Sequence, residues 1–127
     1  MNESTYTQSI IRGLPREIYS WKIMNSMQNG VPDCYFSATK GDIWIECKYI
    51  KTMPKRPSTL INPGLSALQK RWILGRYHEG RNVAVLIGSP QGSCILTEDN
   101  LTSDIIQSDL TLTYKEVRQW IISQTLG

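Results

Sequence analysis

The sequence is poor in the residues that hold zinc or form disulfides. It has one histidine, His78, and three cysteines, none of them in a CxxC pair. A zinc site of the usual kind needs four such ligands at short spacings, so the sequence argues against one. Because the cysteine number is odd, we expect reduced thiols in a cytosolic protein rather than a disulfide framework.

Long hydrophobic runs are also missing. No apolar run approaches the roughly 20 residues of a membrane-spanning helix, and the polar start MNESTYTQSI is unlike a secretion signal. The 127 residues are 40% hydrophobic and 20% charged, which is typical of one globular domain. We therefore expect a single cytoplasmic domain over residues 1–127 with no membrane partner.

The charge is unevenly distributed along the chain. Residues 1–90 carry 12 Lys and Arg against 6 Asp and Glu, a net +6, whereas residues 91–127 carry 2 against 5, a net −3. A basic region of this size is compatible with a polyanionic partner, although many solvated surfaces look the same.

Hydrophobic periodicity predicts an α/β fold with the order α-β-β-β-α-β-β-α, a mixed sheet flanked by helices. Residues 18–25 alternate as a strand, with a helix as the competing prediction, and the proline-rich residues 51–64 form a loop. Asn62 and Pro63 resemble an N-cap and a first helical position. We expect a core of about 3–97 and a helical extension over about 98–127. The C-terminal 37 residues are expected to cap the sheet or to form a dimer contact. The other predicted elements are helices at 3–13, 63–79 and 114–125, and strands at 31–38, 42–50, 82–88 and 93–97.

The strand at 42–50 carries a polar pair on an otherwise apolar element. Alternation places Glu46, Lys48 and Trp44 on one face, and the Cys47 thiol on the other. Burying a carboxylate and an ammonium is costly unless they are paired or bind something. Asp33, on the preceding strand, comes close if the two strands pair.

Two carboxylates beside a lysine suit the hydrolysis of a phosphodiester bond. Carboxylate oxygens, with the Cys47 carbonyl as a further ligand, can hold Mg²⁺, and a lysine can orient water or stabilise charge on the phosphate. The competing interpretation is a surface salt bridge between Glu46 and Lys48, with Asp33 as a turn residue.

The motif Gly30-Val31-Pro32-Asp33, twelve residues, then Glu46-Cys47-Lys48 resembles the PD-(D/E)XK nuclease superfamily. The specific form of the motif, GVPD followed by IECK, is similar to the motifs of archaeal-type Holliday junction resolvases and of the VRR-NUC domains found in phages. The helix beginning Gly64-Leu65-Ser66 and the strand NVAVLIG are also similar to VRR-NUC proteins, so the likeness covers roughly residues 18–90.

The resemblance implies a restriction-endonuclease-like αβββαβ core with an extra C-terminal helix. It implies Mg²⁺, with Mn²⁺ as a substitute, bound by Asp33, Glu46 and the Cys47 carbonyl, and a catalytic Lys48. Gln69 matches a glutamine of the family, or is a solvent-facing helix residue. Many members of the family also carry a glutamate on the first helix, and here Glu3 or Glu17 corresponds to it. Glu3 lies near the end of the chain, where a helix can fray.

Basic side chains beyond the motif are candidates for DNA contacts. Lys51, Lys55 and Arg56 follow the catalytic strand, and phosphate contacts of this kind position an enzyme without reading bases. Lys22 is a phosphate contact or a strand-edge charge, and Arg76 extends the surface, as could Lys70, Arg71 and Arg81. We expect the four tryptophans (Trp21, Trp44, Trp72 and Trp120) to lie in the core, although Trp44 shares the strand face that carries Glu46.

These features predict a magnesium-dependent endonuclease acting on DNA, with branched DNA such as a Holliday junction as the favoured substrate, in the host cytoplasm if the protein is phage-encoded. Two cuts in one junction require two sites, which predicts a homodimer. The alternatives are a nuclease of other specificity (nicking, flap or host-DNA degradation, or RNA), an inactive nucleic-acid-binding protein on the same fold, or an inhibitor-like interaction protein.

Overall fold

The computed structural model describes residues 1–23 and 30–127, and in them three α-helices flank one five-stranded sheet. The predicted element order is confirmed. Residues 24 and 25 of the first predicted strand lie outside the described residues. So does Asn29, which forms a turn signal with Gly30 in the sequence. In the described part of the chain, no helix has both the length and the apolarity needed to cross a bilayer. The elements are α1 (Glu3–Arg12), β1 (Tyr19–Lys22), β2 (Cys34–Ser37), β3 (Asp42–Tyr49), α2 (Ala67–His78), β4 (Val83–Gly88), β5 (Cys94–Leu96) and α3 (Tyr114–Thr125).

The five strands lie in sequence order across the sheet. β1, β2 and β3 pair antiparallel, β3 and β4 pair parallel, and β4 and β5 pair antiparallel. The two strands predicted at 31–38 and 42–50 pair as a hairpin, and its turn closes where Ala38 N donates to Gly41 O at 3.0 Å. The parallel pair requires a long crossover, which the loop after β3 and helix α2 supply.

Apolar side chains fill both faces of the sheet. One buried cluster lies beneath α1 and α3 and includes Ile43, Ile45 and Cys47 of β3. The other lies beneath α2 and includes Leu101, Ile105 and Leu110 of the C-terminal region. Strand β4 is buried along its whole length, as its continuous apolar run predicts. The C-terminal region therefore caps the sheet on both sides, since α3 packs on the first face.

Helix α1 is fixed at both ends. At its start Thr5 N donates to Asn2 Oδ1 and Asn2 N donates to Thr5 Oγ1, each at 2.9 Å, which forms a capping box. At its end the Arg118 guanidinium donates to Ser9 O at 2.6 Å and to Ile10 O at 3.2 Å. The capping box opposes the expected fraying of the first turn, and the Arg118 contacts hold the last turn.

The predicted start of α2 is wrong by four residues. The helix begins at Ala67 and is capped by Ser66, whose Oγ accepts from Gln69 N at 3.1 Å while Ser66 N donates to Gln69 Oε1 at 2.9 Å. Asn62 instead accepts from Gly64 N at 2.8 Å, a local turn that competes with helix formation. Gly64 has a positive φ of 90°, which interrupts a helix at that point.

Two contacts hold the loop between β3 and α2 against the C-terminal region. Ile61 and Ile105 exchange backbone hydrogen bonds of 2.7 and 3.0 Å. The Gln107 side-chain amide donates to Pro54 O. The basic loop that follows the candidate catalytic strand is therefore supported by residues far from it in sequence.

Candidate metal centre

Strand β3 separates its side chains onto two faces in the predicted way. Ile43, Ile45 and Cys47 point into the core beneath α1 and α3, so Glu46 and Lys48 point to the other face. Glu46 is 1% exposed. The competing interpretation, a surface salt bridge, is therefore wrong for Glu46.

Asp33 lies immediately before β2 and is fixed against β3. Its Oδ2 accepts from Cys47 N at 3.0 Å, and its carbonyl accepts from Ile23 N at 2.7 Å. Gly30 begins the same segment with a φ of 73°, and a Cβ there would lie 2.3 Å from Leu68 O. Glycine at this position lets the segment pass against the start of α2, which brings Asp33 and α2 to the same site.

Glu3 reaches the same site from the first turn of α1. Its Oε1 lies 3.9 Å from Lys48 Nζ, and it forms one group with Asp33 and Glu46, with one carboxylate oxygen of each within 4.8 Å of the others. Glu17, the alternative acid, is exposed and is absent from this group. Of the two acids that the sequence offered, the fold brings Glu3 to the cluster.

The cluster strongly disfavours charge on Glu46. Burial raises the pKa of Glu46 to about 9. Repulsion by Asp33 and a side-chain hydrogen bond with Asp33 contribute to the rise, and Lys48 opposes it. Burial likewise raises the pKa of Glu3, against the opposing charge of Lys48. No hydrogen-bond donor among the described residues reaches Glu46 Oε1. A buried carboxylate with an unsatisfied oxygen, beside two more carboxylates, fits a hard divalent cation.

Gln69 is buried and locked in place, so the solvent-facing interpretation is wrong. It is 8% exposed, and its Nε2 donates to Glu46 Oε2 at 3.1 Å. Its Oε1 is held by Ser66 N in the capping box of α2. The amide therefore fixes one oxygen of Glu46 and does not satisfy the other. The sequence pattern Ser66-x-x-Gln69 is a capping-box signal, and it would have identified Ser66 as the support.

Lys48 lies between two of the acids. Its Nζ is 3.6 Å from Glu46 Oε2 and 3.9 Å from Glu3 Oε1, and its side chain is 15% exposed. At these distances the ammonium partly compensates the cluster's negative charge and remains accessible to a ligand.

The Cys47 thiol takes no part in the cluster. It is buried on the opposite face and forms a hydrogen bond with the Cys34 thiol. This hydrogen bond and burial both raise the pKa of Cys47. All three cysteines are free, as predicted. The role of the Cys47 carbonyl as a ligand stays a prediction.

The predicted DNA-binding side chains occupy different surroundings. Lys51, Lys55 and Arg56 are exposed on the loop after β3. Lys22 donates to Ser4 Oγ at 2.8 Å and lies near Glu3, so it borders the cluster rather than a bare strand edge. Arg76 pairs with Glu79 at 2.7 Å and lies over the Trp72 ring, 5.4 Å from its centroid. Its charge is therefore partly engaged within α2.

The prediction that all four tryptophans are core residues is wrong for Trp21, which is 47% exposed. Trp44, Trp72 and Trp120 are partly buried and pack against the two apolar clusters. β1 is an edge strand, and nothing in the described part of the chain covers Trp21 as α2 covers Trp44. The alternation of residues 18–25 shows a strand but does not show which face lacks a neighbour.

Comparison with known proteins shows similarity in structure. No protein-family model and no curated protein sequence matches the chain. Its structure is similar to that of Hjc, a Holliday junction resolvase from the archaeal hyperthermophile Archaeoglobus fulgidus. The two share 13% sequence identity with a TM-score of 0.54, and the match covers 93% of this chain and 97% of the other.

At this identity the likeness concerns the fold. The mixed five-stranded sheet with its three helices matches a restriction-endonuclease-like fold, as the PD-(D/E)XK resemblance predicted. The chain therefore has the fold of an archaeal Holliday junction resolvase, and it brings three acids and a lysine together in that fold.

Proposed function

We propose that this protein is a nuclease that hydrolyses DNA phosphodiester bonds with a divalent metal ion held by Asp33 and Glu46. The observation that carries the proposal is the buried Glu46 carboxylate. One of its oxygens is fixed by Gln69 and the other has no hydrogen-bond donor within the described ranges. A buried carboxylate in this state must either take up a proton, as the raised pKa of Glu46 indicates, or be completed by a cation.

The residues present fit Mg²⁺, with Mn²⁺ as a substitute. Asp33 and Glu46 would hold the ion, together with the Cys47 carbonyl and with Glu3 directly or through water, all of them oxygen donors. When bound, the ion would supply Lewis-acid stabilisation of charge on the phosphate and a lowered pKa for water.

The chain's own groups would position the reacting atoms. Lys48, within 4 Å of both Glu46 and Glu3, would orient the attacking water or stabilise charge growing on the phosphate oxygens. Gln69 would act through Glu46 by fixing its orientation, as an outer partner of a metal ligand does. Lys51, Lys55 and Arg56 would hold the DNA backbone beside the site.

Branched DNA is the substrate that we favour. The protein with the similar fold is a Holliday junction resolvase, and the exposed basic loop lies directly after the strand that carries Glu46. Cutting both strands of a junction would require a homodimer with two such sites. Gel filtration across a range of concentrations would test the dimer.

Cleavage of a labelled four-way junction and of a matched linear duplex, each with Mg²⁺ or Mn²⁺, tests the proposal. We expect metal-dependent cutting that Asp33→Asn abolishes and that favours the junction. Asp104→Asn, which makes the same change at an exposed position, is the control. No cutting with tight, salt-sensitive DNA binding would point to an inactive binding protein. No cutting and no binding would leave a protein that acts on something other than DNA.

A further inference from the structure

An aromatic row crosses the sheet on the face that carries Glu46. Trp21 pairs with Tyr35 between β1 and β2, and Tyr35 pairs with Trp44 between β2 and β3. Residues paired across antiparallel strands project to the same face. The ring centroids of Tyr35 and Trp44 are 4.6 Å apart, and those of Trp44 and Trp72 are 5.2 Å apart. The aromatic row, defined as Trp21, Tyr35, Trp44 and Trp72, runs from the sheet edge to α2.

The outer end of the aromatic row is open to solvent. Trp21 is 47% exposed, and Tyr19, two residues earlier on the same face, is 60% exposed. Single exposed apolar residues are ordinary, but neighbouring exposed rings that continue into a row of further rings are typical of a binding surface. The hydrophobic core does not account for this end of the row.

The inner end of the aromatic row adjoins the metal centre. Trp44 and Glu46 lie on one face of β3, two residues and therefore about 7 Å apart along the strand. At this inner end Trp72 packs against Trp44, and Arg76 lies over the Trp72 ring. At the far end of β3 from Glu46, Tyr35 donates its hydroxyl hydrogen to Asp42. With a metal ion bound among Glu3, Asp33 and Glu46, the inner end would attract a phosphate, whereas Asp42 would repel one at the other end of β3.

A second copy of the chain is a poor occupant for this surface by itself. The exposed parts of Tyr19 and Trp21 amount to a few hundred Å² at most, given that a whole aromatic side chain buries about 150–250 Å². A stable dimer needs about 800 Å² from each partner. A nucleobase, in contrast, matches one ring face in size, and stacking on aromatic rings tolerates any base.

We propose that the aromatic row stacks an unpaired nucleotide of the DNA substrate while a neighbouring phosphate lies at the metal centre. The inference deepens the proposed function and rests on it, because the strand's path is set by the metal centre. It specifies the substrate class as DNA with unpaired nucleotides near the cut, such as a flap, a gap or an opened branch point. A fully paired blunt duplex cannot offer a base to Trp21.

The test compares two substitutions of Trp21 that differ in the ring alone. Trp21→Phe keeps a π face, whereas Trp21→Leu keeps apolar bulk without one, and both suit an exposed position in an edge strand. Fluorescence anisotropy in EDTA, where no cutting occurs, would follow binding of labelled oligothymidylate and of a blunt duplex of equal length. We expect Trp21→Leu to weaken binding of the single strand about tenfold or more, and Trp21→Phe to weaken it less than threefold. Duplex binding should change less than twofold in both.

Three results would overturn the inference. The first is a wild-type protein that does not bind the single strand. The second is an equal loss of single-strand affinity in Trp21→Leu and Trp21→Phe. The third is a dimer on gel filtration that the Trp21→Leu substitution dissociates. Junction cleavage by wild type and Asp33→Asn separates this inference from the proposed function. Trp21-dependent binding without any cleavage leaves stacking intact and refutes the nuclease. Cleavage with binding that is independent of Trp21 does the reverse.

Discussion

The two faces of strand β3 differ in kind although their residues alternate along one strand. Ile43, Ile45 and Cys47 are at most 2% exposed in an apolar core, while Glu46 is equally buried among polar groups. The first face gains free energy from burial and the second loses it. The apolar face therefore holds the strand in place, so that the polar face can keep carboxylates close together against their repulsion. Substitutions on the two faces should therefore have opposite effects.

Replacing Lys48 should produce the largest effect on activity. Lys48→Met keeps the side chain's length and removes its charge from a position within 4 Å of Glu46 and Glu3. We expect DNA cleavage to fall about 10²- to 10³-fold or more, which is typical when one stabilising group is removed, with the thermal midpoint nearly unchanged. Lys115→Met, on the exposed part of α3, is the matched control and should cleave normally. Cleavage within threefold of wild type would exclude Lys48 from catalysis.

A substitution on the core face of β3 should reduce the stability of the protein and leave its activity unchanged. Ile45→Ala removes a side chain that is 1% exposed in the core beneath α1 and α3. We expect a loss of about 2–5 kcal/mol in the free energy of unfolding, measured by urea denaturation. The cleavage rate per folded molecule, at a temperature where the variant remains folded, should stay close to wild type. A stable but inactive Ile45→Ala protein would contradict the division between the two faces.

Gln69 tests whether the polar face is organised by its neighbours. Gln69→Leu removes the donor to Glu46 Oε2 and should weaken Mn²⁺ binding about 10- to 100-fold, as changes to the partners of metal ligands do. Isothermal titration would measure this affinity. Ser66→Ala removes the helix cap but leaves the Gln69–Glu46 bond, and should weaken binding less. Equal effects of the two variants would assign Gln69 a role in capping α2 alone.

Glu46 should make the metal-free protein sensitive to pH. Its pKa is about 9 in the folded state against 4.5 as its ordinary value, so the native state binds more protons between these values. This contribution to stability is fully present below pH 4.5, is lost as pH rises and is gone above about pH 9. Urea denaturation in EDTA should show a loss of about 1 kcal/mol or more between pH 6 and 8.

Glu46→Gln should remove this pH dependence and stabilise the metal-free protein near pH 8. The same substitution should abolish the rise in thermal midpoint that Mg²⁺ or Mn²⁺ gives wild type, because a ligand is lost. Glu17→Gln, at an exposed position, should leave both properties unchanged. An unaltered pH dependence in Glu46→Gln would show that another group is responsible.

Local patterns in the sequence were enough to predict the strands, the two faces of β3 and the residues at the centre of the candidate site. Period-two alternation is a local property, so Glu46 and Lys48 could be assigned to one face before any contact was known. The same holds for the hairpin that brings Asp33 beside them, since its two strands are separated by a short turn.

Tertiary structure alone decided which distant groups complete the site. Glu3 and Glu17 are both acids near the start of the chain, and only the docking of α1 selects Glu3. The start of α2 depended on competition between Asn62 and Ser66 for local hydrogen bonds, and Ser66 prevails with Gln69, which also binds Glu46. The exposure of Trp21 follows from its edge position. The selection of Glu3 and the exposure of Trp21 depend on contacts between residues far apart in the chain, which no local pattern encodes. The start of α2 is instead marked locally by the capping-box pattern Ser66-x-x-Gln69.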